Sequence, residues 1–227
     1  MKSFKTIFVL LFLSSIMLNA QKSIIKELGN FDEVKVYDQL SVTLIKSDKN
    51  EAEITGDDIE KVAIANENGL LKVRMEVEKF LDGNETQITI YYAGNLKLID
   101  ANEGALITAA KKIDSDHLTI KAQEGSQLDL KIDADNLNAK AVSGSIIKVY
   151  GKTNNQDILI RTGGVYNAKE LASDRVNVKI MAGGKAEINA KNYVNASVNA
   201  GGKIEIYGNP KQVKENKTFG GSIVIKK

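Results

Sequence analysis

A chain of 227 residues with 31 basic and 29 acidic side chains is long enough to bury one sizeable core. Its net charge of +2 gives no overall basic footprint for nucleic acid, and the absence of cysteine excludes disulfide staples and thiol chemistry. One histidine, one proline and no tryptophan complete the restrictions: a histidine-rich metal site is excluded by count.

The chain opens with Lys2 and Lys5, an apolar run from Ile7 to Leu18, and Asn19-Ala20. That order is the order of a secretory signal peptide over residues 1–20, with cleavage expected after Ala20. The run is too short for a bilayer span, which needs roughly 20 apolar residues, and no cysteine near the cut offers a lipid anchor. Loss of Lys2 and Lys5 leaves 29 basic and 29 acidic residues, so the mature chain is expected to be neutral overall. No integral membrane segment is expected after cleavage, and the protein is expected to be exported to the periplasm, the cell surface or the medium.

Residues 21–92 read as an irregular N-terminal β region that caps the repeats of the C-terminal part. Val34 and Val36, Val42 and Leu44, and Ala52 and Ile54 alternate with polar residues, as half-buried strands do. Asp38-Gln39 and Ser47–Asn50 read as turns between them. Asp57–Ile64 breaks the alternation, and its aspartates suit the cap of one short helix. Asn68-Gly69 marks a turn into a strand over Leu70–Val77, Phe80–Glu85 reads as a loop, and Thr86–Tyr92 as a further strand.

Residues 93–227 repeat. Pairs of small residues begin at Gly104, Gly125, Gly144, Gly163, Gly183, Gly201 and Gly220, a period of about 19 residues. Three residues beyond each first glycine stand Ile107, Leu128, Ile147, Tyr166, Ala186, Ile204 and Ile223; two further on stand Ala109, Leu130, Val149, Ala168, Ile188, Ile206 and Ile225. The third residue back reads Ala101, Ala122, Ala141, Ile160, Ile180 and Val198, and the fifth back Ile99, Ile120, Ala139, Ile158, Val178 and Ala196. Each period therefore holds two short strands bent at a glycine corner, and neither buries its apolar side alone. Stacking on a copy does, with parallel strands about 4.8 Å apart. The expected fold is all-β: a right-handed parallel β-helix, or β-solenoid, with 19-residue coils. Crowding between stacked corners and a need for positive φ both favour glycine there. Glu215 and Lys217 fall at inward positions, so Pro210–Lys217 is expected to leave the stack as a loop before a closing strand, Gly220–Ile225.

An opening Phe31-Asp-Glu-Val-Lys-Val, strands flanking a short helix, and the repeats Gly184-Lys-Ala-Glu-Ile-Asn189 and Gly202-Lys-Ile-Glu-Ile-Tyr207 resemble the head GIN domain family. Its members are exported proteins of Gram-negative bacteria labelled auto-transporter adhesins. The resemblance runs from Phe31 to Lys227 and implies a pectin-lyase-like β-helix without a recognised catalytic set. Its motifs are core and corner positions, so it transfers no functional residue.

The side chains themselves offer few sites. His117 stands between Asp116 and Leu118 with nothing at a diagnostic spacing, and reads as a surface residue. Glu187 and Glu205 share an outward column on adjacent coils, about the separation of a retaining glycosidase pair, but Lys185 and Lys203 run beside them. Asp129, Asp133 and Asp135 with Asp114 and Asp116 make an acidic neighbourhood that fails calcium-loop patterns; no metal and no cofactor are expected. Tyr150 and Tyr207 share an outward column where a sugar ring could stack, whereas Asn167, Asn177, Asn189, Asn195 and Asn199 read as turn and ladder residues. The ligand-binding candidates are Asp129, Glu187, Glu205, Tyr150 and Tyr207, with no catalytic residue. The expected function is a non-enzymatic adhesion or binding module whose partner is a surface glycan or an envelope protein. The alternative is a polysaccharide lyase or hydrolase working through the acidic outer face.

Overall fold

The computed structural model describes residues 22–76 and 83–226, and its strands form one 19-stranded sheet wound into a solenoid. The expected signal peptide, Val77 and the start of the expected loop at Phe80 lie outside the described residues. In chain order the strands are β1 (Ser23–Glu27), β2 (Glu33–Val36), β3 (Ser41–Lys46), β4 (Glu51–Gly56), β5 (Val62–Glu67), β6 (Leu70–Met75) and β7 (Thr86–Tyr92). Then come β8 (Leu98–Ala101), β9 (Leu106–Ala109), β10 (Ile113–Ala122), β11 (Gln127–Val142), β12 (Ile146–Arg161) and β13 (Val165–Asn167). The last are β14 (Leu171–Ile180), β15 (Lys185–Asn189), β16 (Tyr193–Val198), β17 (Lys203–Tyr207), β18 (Gln212–Lys217) and β19 (Ser222–Ile225).

The repeat alignment is the register. Leu128 pairs with Ile147, Ile147 with Tyr166, Tyr166 with Ala186, and Ala186 with Ile204, all in parallel ladders. These side chains are buried, as are Ala122, Ala141, Ile160, Ile180 and Val198 in the column before the corner. One apolar side chain per strand position, repeated every rung, builds a core one coil thick, and each coil is covered by its neighbours.

The corners separate two reasons for a small residue. All seven first glycines have positive φ, between 63° and 88°. At Gly144 a Cβ would meet nothing within 4 Å, so crowding is not the cause there. The turn needs two consecutive left-handed residues, Ser143 at 53° and Gly144 at 71°, and is closed by Ser145 N–H donating to Val142 C=O at 3.3 Å. Crowding governs the second position instead: a Cβ on Gly164 would lie 2.5 Å from the carbonyl oxygen of Ala141. Two rungs earlier in the stack that position is Ser126 and one rung earlier Ser145, whose hydroxyls donate inward to the carbonyls of Ala101 and Ala122 at 2.7 Å.

The N-terminal region enters the same sheet. β2 pairs in parallel with both β6 and β8, and β3 with both β7 and β9. The coil formed by β2 and β3 is therefore flanked by two coils made later in the chain. Antiparallel strands close this end: β4 on β7, β5 on β6 and β1 on β4. The helix expected after Asp57 is a single 3-10 turn, Ile59–Lys61, with Asp58 left-handed and no side-chain cap. It stops because alternation resumes at once: Val62 is buried and pairs with Met75.

The C-terminal end corrects one expectation. Gln212–Lys217 does not leave the stack; it forms β18, parallel to β16, with Glu215 opposite Ala196 and Lys217 opposite Val198. Both charged residues are exposed, 3.6 Å apart in an ion pair. The inner side of the last rung faces water, so charge there costs no burial, and inward charge on a free edge opposes edge-to-edge association. The closing strand is present as β19, parallel to β17.

Candidate ligand-binding faces

Each coil presents two flat outward faces, one after the glycine corner and one before it. On the face after the corner, outward positions on successive rungs read Thr108, Asp129, Lys148, Asn167, Glu187 and Glu205. Asp129 and Tyr150 come together here, lining a shallow depression of about 160 Å³ with Lys148, Asn167 and Glu170. Tyr207 lies on the same face toward the C-terminus and carries the Lys169 ammonium 4.8 Å above its ring.

Glu187 and Glu205 are neighbours in register, but their environment is that of ion pairs. Lys185 Nζ lies 2.6 Å from Glu187 and 3.3 Å from Glu205, and Lys203 and Lys226 each lie 3.0 Å from Glu205. Hydrogen bonds from Lys226 first, then Lys203 and Lys185, outweigh burial and hold the Glu205 carboxyl down at about 2. A general acid needs the opposite shift. The aspartates near the first repeats behave likewise. Lys112 bridges Asp114 and Asp133 at 2.7 and 2.8 Å, Lys152 reaches Asp133 at 3.1 Å, and these ammoniums lower the Asp133 pKa, Lys112 most. Ammoniums thus stand where a cation would bind, and among the described residues no acidic or histidine cluster fits a metal. His117 is exposed on β10, opposite Asn136.

A buried polar network on the inner side of the repeats escaped the sequence reading. Tyr166, placed correctly in an inward column, donates its hydroxyl to Gln156 Oε1 at 2.6 Å; Gln156 Nε2 donates to Ser173 Oγ at 2.8 Å, and Ser173 to the Asn189 carbonyl. Burial pushes the Tyr166 phenol far up, so it stays a neutral donor. Gln156 sits at a position that is Leu137 one rung before and Val176 one rung after, and this break in an apolar column was the available sign.

The face before the corner holds the larger depressions. Two troughs, of about 300 and 420 Å³, flank a column formed by Asp157, Asn177 and Asn195. Asn177 Nδ2 donates to Asp157 Oδ1 at 3.3 Å, and Asn195 Nδ2 to Asn177 Oδ1 at 3.0 Å. Asn136, Asn138, Asn155, Arg175 and Tyr193 line the first trough; Lys179, Ser197, Lys214 and Asn216 line the second. Asn177 and Asn195 are ladder residues, as the sequence suggested, but the troughs beside them were missed.

A family model described as "Putative auto-transporter adhesin, head GIN domain" matches residues 30–210. Solved structures share the fold, among them the following three. A "putative adhesin" from Bacteroides fragilis is 18% identical, with a TM-score of 0.79 over 92% of this chain and 98% of that one. A "putative lipid binding protein" from Parabacteroides distasonis is 17% identical at a TM-score of 0.73, with the same coverages of 92% and 98%. A "putative adhesin" from Parabacteroides merdae is 18% identical at 0.72, again over 92% and 98%. No curated protein matches the chain.

Proposed function

The chain belongs to the head GIN domain family, and we propose that it is an exported, non-enzymatic binding module. Its flat outer faces engage a surface glycan or an envelope protein in adhesion or envelope interaction. One observation supports the reading: the outward side chains stand in ladders at fixed rung spacing, and along the Asn138, Asp157, Asn177 and Asn195 column an extended partner meets an amide or carboxylate on four successive coils. Each interior rung is hydrogen-bonded to both neighbours, which holds the ladders in place and leaves little ordering cost on binding.

The test presents the purified protein to a glycan array and to an immobilised envelope extract, while released reducing or unsaturated sugar ends are measured in parallel. Retention without cleavage is expected. Turnover of any glycan that disappears with a single outward substitution, such as Glu187→Gln, would overturn the non-enzymatic reading. Absence of retention on both surfaces would overturn binding.

A further inference from the structure

The face before the corner carries a charge imbalance that the chain as a whole lacks. From β10 to β18, its outward positions between the bend and the corner include Lys121, Lys140, Arg161, Arg175, Lys179 and Lys214 against one acid, Asp157. The nearest acid on the preceding rung, Asp100, is buried, 3.8 Å from Lys35, and accepts hydrogen bonds from Asn102 and Gln123. Asp116, Asp135 and Asp174 lie at the bend, to one side of these positions; Asn154 and Asn192 donate to Asp135 and Asp174 at 2.9 and 3.0 Å and orient those carboxylates without neutralising them. Among the described residues Lys140, Arg161, Arg175, Lys179 and Lys214 form no ion pair, whereas the lysines around Glu205 on the other face are all paired.

The positions are regular. Arg175 and Lys179 are four residues apart on β14, about 13 Å, and Lys140 lies two rungs from Lys179, about 10 Å. Between these cations run the two troughs and the Asp157–Asn177–Asn195 column. Each carboxamide has two N–H donors and spends one on the ladder, so donors and acceptors remain for a ligand. Tyr193 stands beside Arg175 in register, half-buried, with its ring bordering the first trough.

Cations spaced along a strip of amides, with a carboxylate at its centre and an aromatic ring at one side, fit an extended ligand that carries both anionic groups and hydroxyls. We propose that this face binds an acidic polysaccharide. Its carboxylate or sulfate groups pair with Arg175, Lys179 and Lys214, and its hydroxyls bridge Asn138, Asn177, Asn195 and Asp157. Asp157 and the carboxamides beside it favour a glycan over a nucleic acid, because they bond sugar hydroxyls, which duplex DNA does not present. The inference rests on the binding-module reading and narrows it to one face and one ligand class.

The experiment measures binding of the purified protein to polygalacturonate, dextran, duplex DNA and phosphatidylglycerol vesicles, at low and at physiological ionic strength. Two double variants are compared, Arg175→Ser with Lys179→Ser, and Lys111→Ser with Lys131→Ser away from this face; all four residues are exposed, and melting curves check that folding is kept. Polygalacturonate is expected to bind, more weakly as salt rises. The first pair should reduce affinity about tenfold, the scale of two screened charge contacts, and the second should leave it unchanged. Equal loss with both pairs, or with neither, overturns the assignment to this face. Dextran binding as well as polygalacturonate overturns the acidic class. DNA or vesicles bound as tightly overturn the glycan. Silence toward all four probes also overturns this proposal, while retention on the wider array or the envelope extract would still uphold the binding module.

Discussion

Neutralising Glu205 tests the electrostatics of the outer face. The residue is 5% exposed and accepts from three ammoniums at 3.0 to 3.3 Å. Its carboxyl is lowered from 4.5 to about 2. At about 1.4 kcal/mol per pH unit the full shift is worth about 3 kcal/mol. The lysines are 39–46% exposed, however, and solvent screening reduces the net value to about 1–2 kcal/mol. The folded-state pKa is depressed, so this stability is present above the unfolded value of 4.5 and is lost as pH falls through about 2. Urea melts of wild type and Glu205→Gln should differ by about 1–2 kcal/mol at neutral pH, with the gap closing between pH 4.5 and 2 and shrinking in molar salt. A gap that stays constant down to the acid limit would show that shape, not charge, is what Glu205 contributes, and would refute the argument.

Three further outcomes rest on the coil geometry. Ile204→Asp places a charge in a fully buried column and should abolish cooperative folding, seen as loss of the thermal transition by circular dichroism. Gly144→Ala should cost about 1 kcal/mol, the strain of a left-handed alanine, whereas Gly164→Ala should cost about 3 kcal/mol because its Cβ meets a carbonyl oxygen at 2.5 Å; equal denaturation midpoints for the two would contradict the division of labour at the corner. Tyr166→Phe leaves Gln156 Oε1 without its buried donor and should destabilise by about 1–3 kcal/mol, readable in urea melts at constant m-value.

The ligand candidates were only partly legible. Outward columns can be read by counting from the corner glycines, and this placed Asp129, Glu187, Glu205, Tyr150 and Tyr207 on the face after the corner. The same count backward from each glycine reaches Lys121, Lys140 and Lys179 at the fourth residue and Asn138, Asp157, Asn177 and Asn195 at the sixth. That pattern was present in the chain but hidden by its neutral average charge, because the compensating acids sit at other phases of the period. Local pairings also stayed invisible: Lys112 between two aspartates, or Lys226 reaching Glu205, depend on side-chain reach across rungs.

The solenoid is encoded in the repeat itself. A period of about 19 residues with four apolar phases has one economical solution, since residues of equal phase must stack when each circuit rises one strand spacing. Two features emerge only in the folded chain. The first is the order of the N-terminal coils, where β2 and β3 lie between β6–β7 and β8–β9; strand pairing is set by which edges are free when distant segments meet, and no local period encodes that. The second is the meaning of inward charge at Glu215 and Lys217. The same alternation that demands an apolar residue inside the stack permits a charged one on its last rung, because burial is conferred by the next coil and there the inner side faces water.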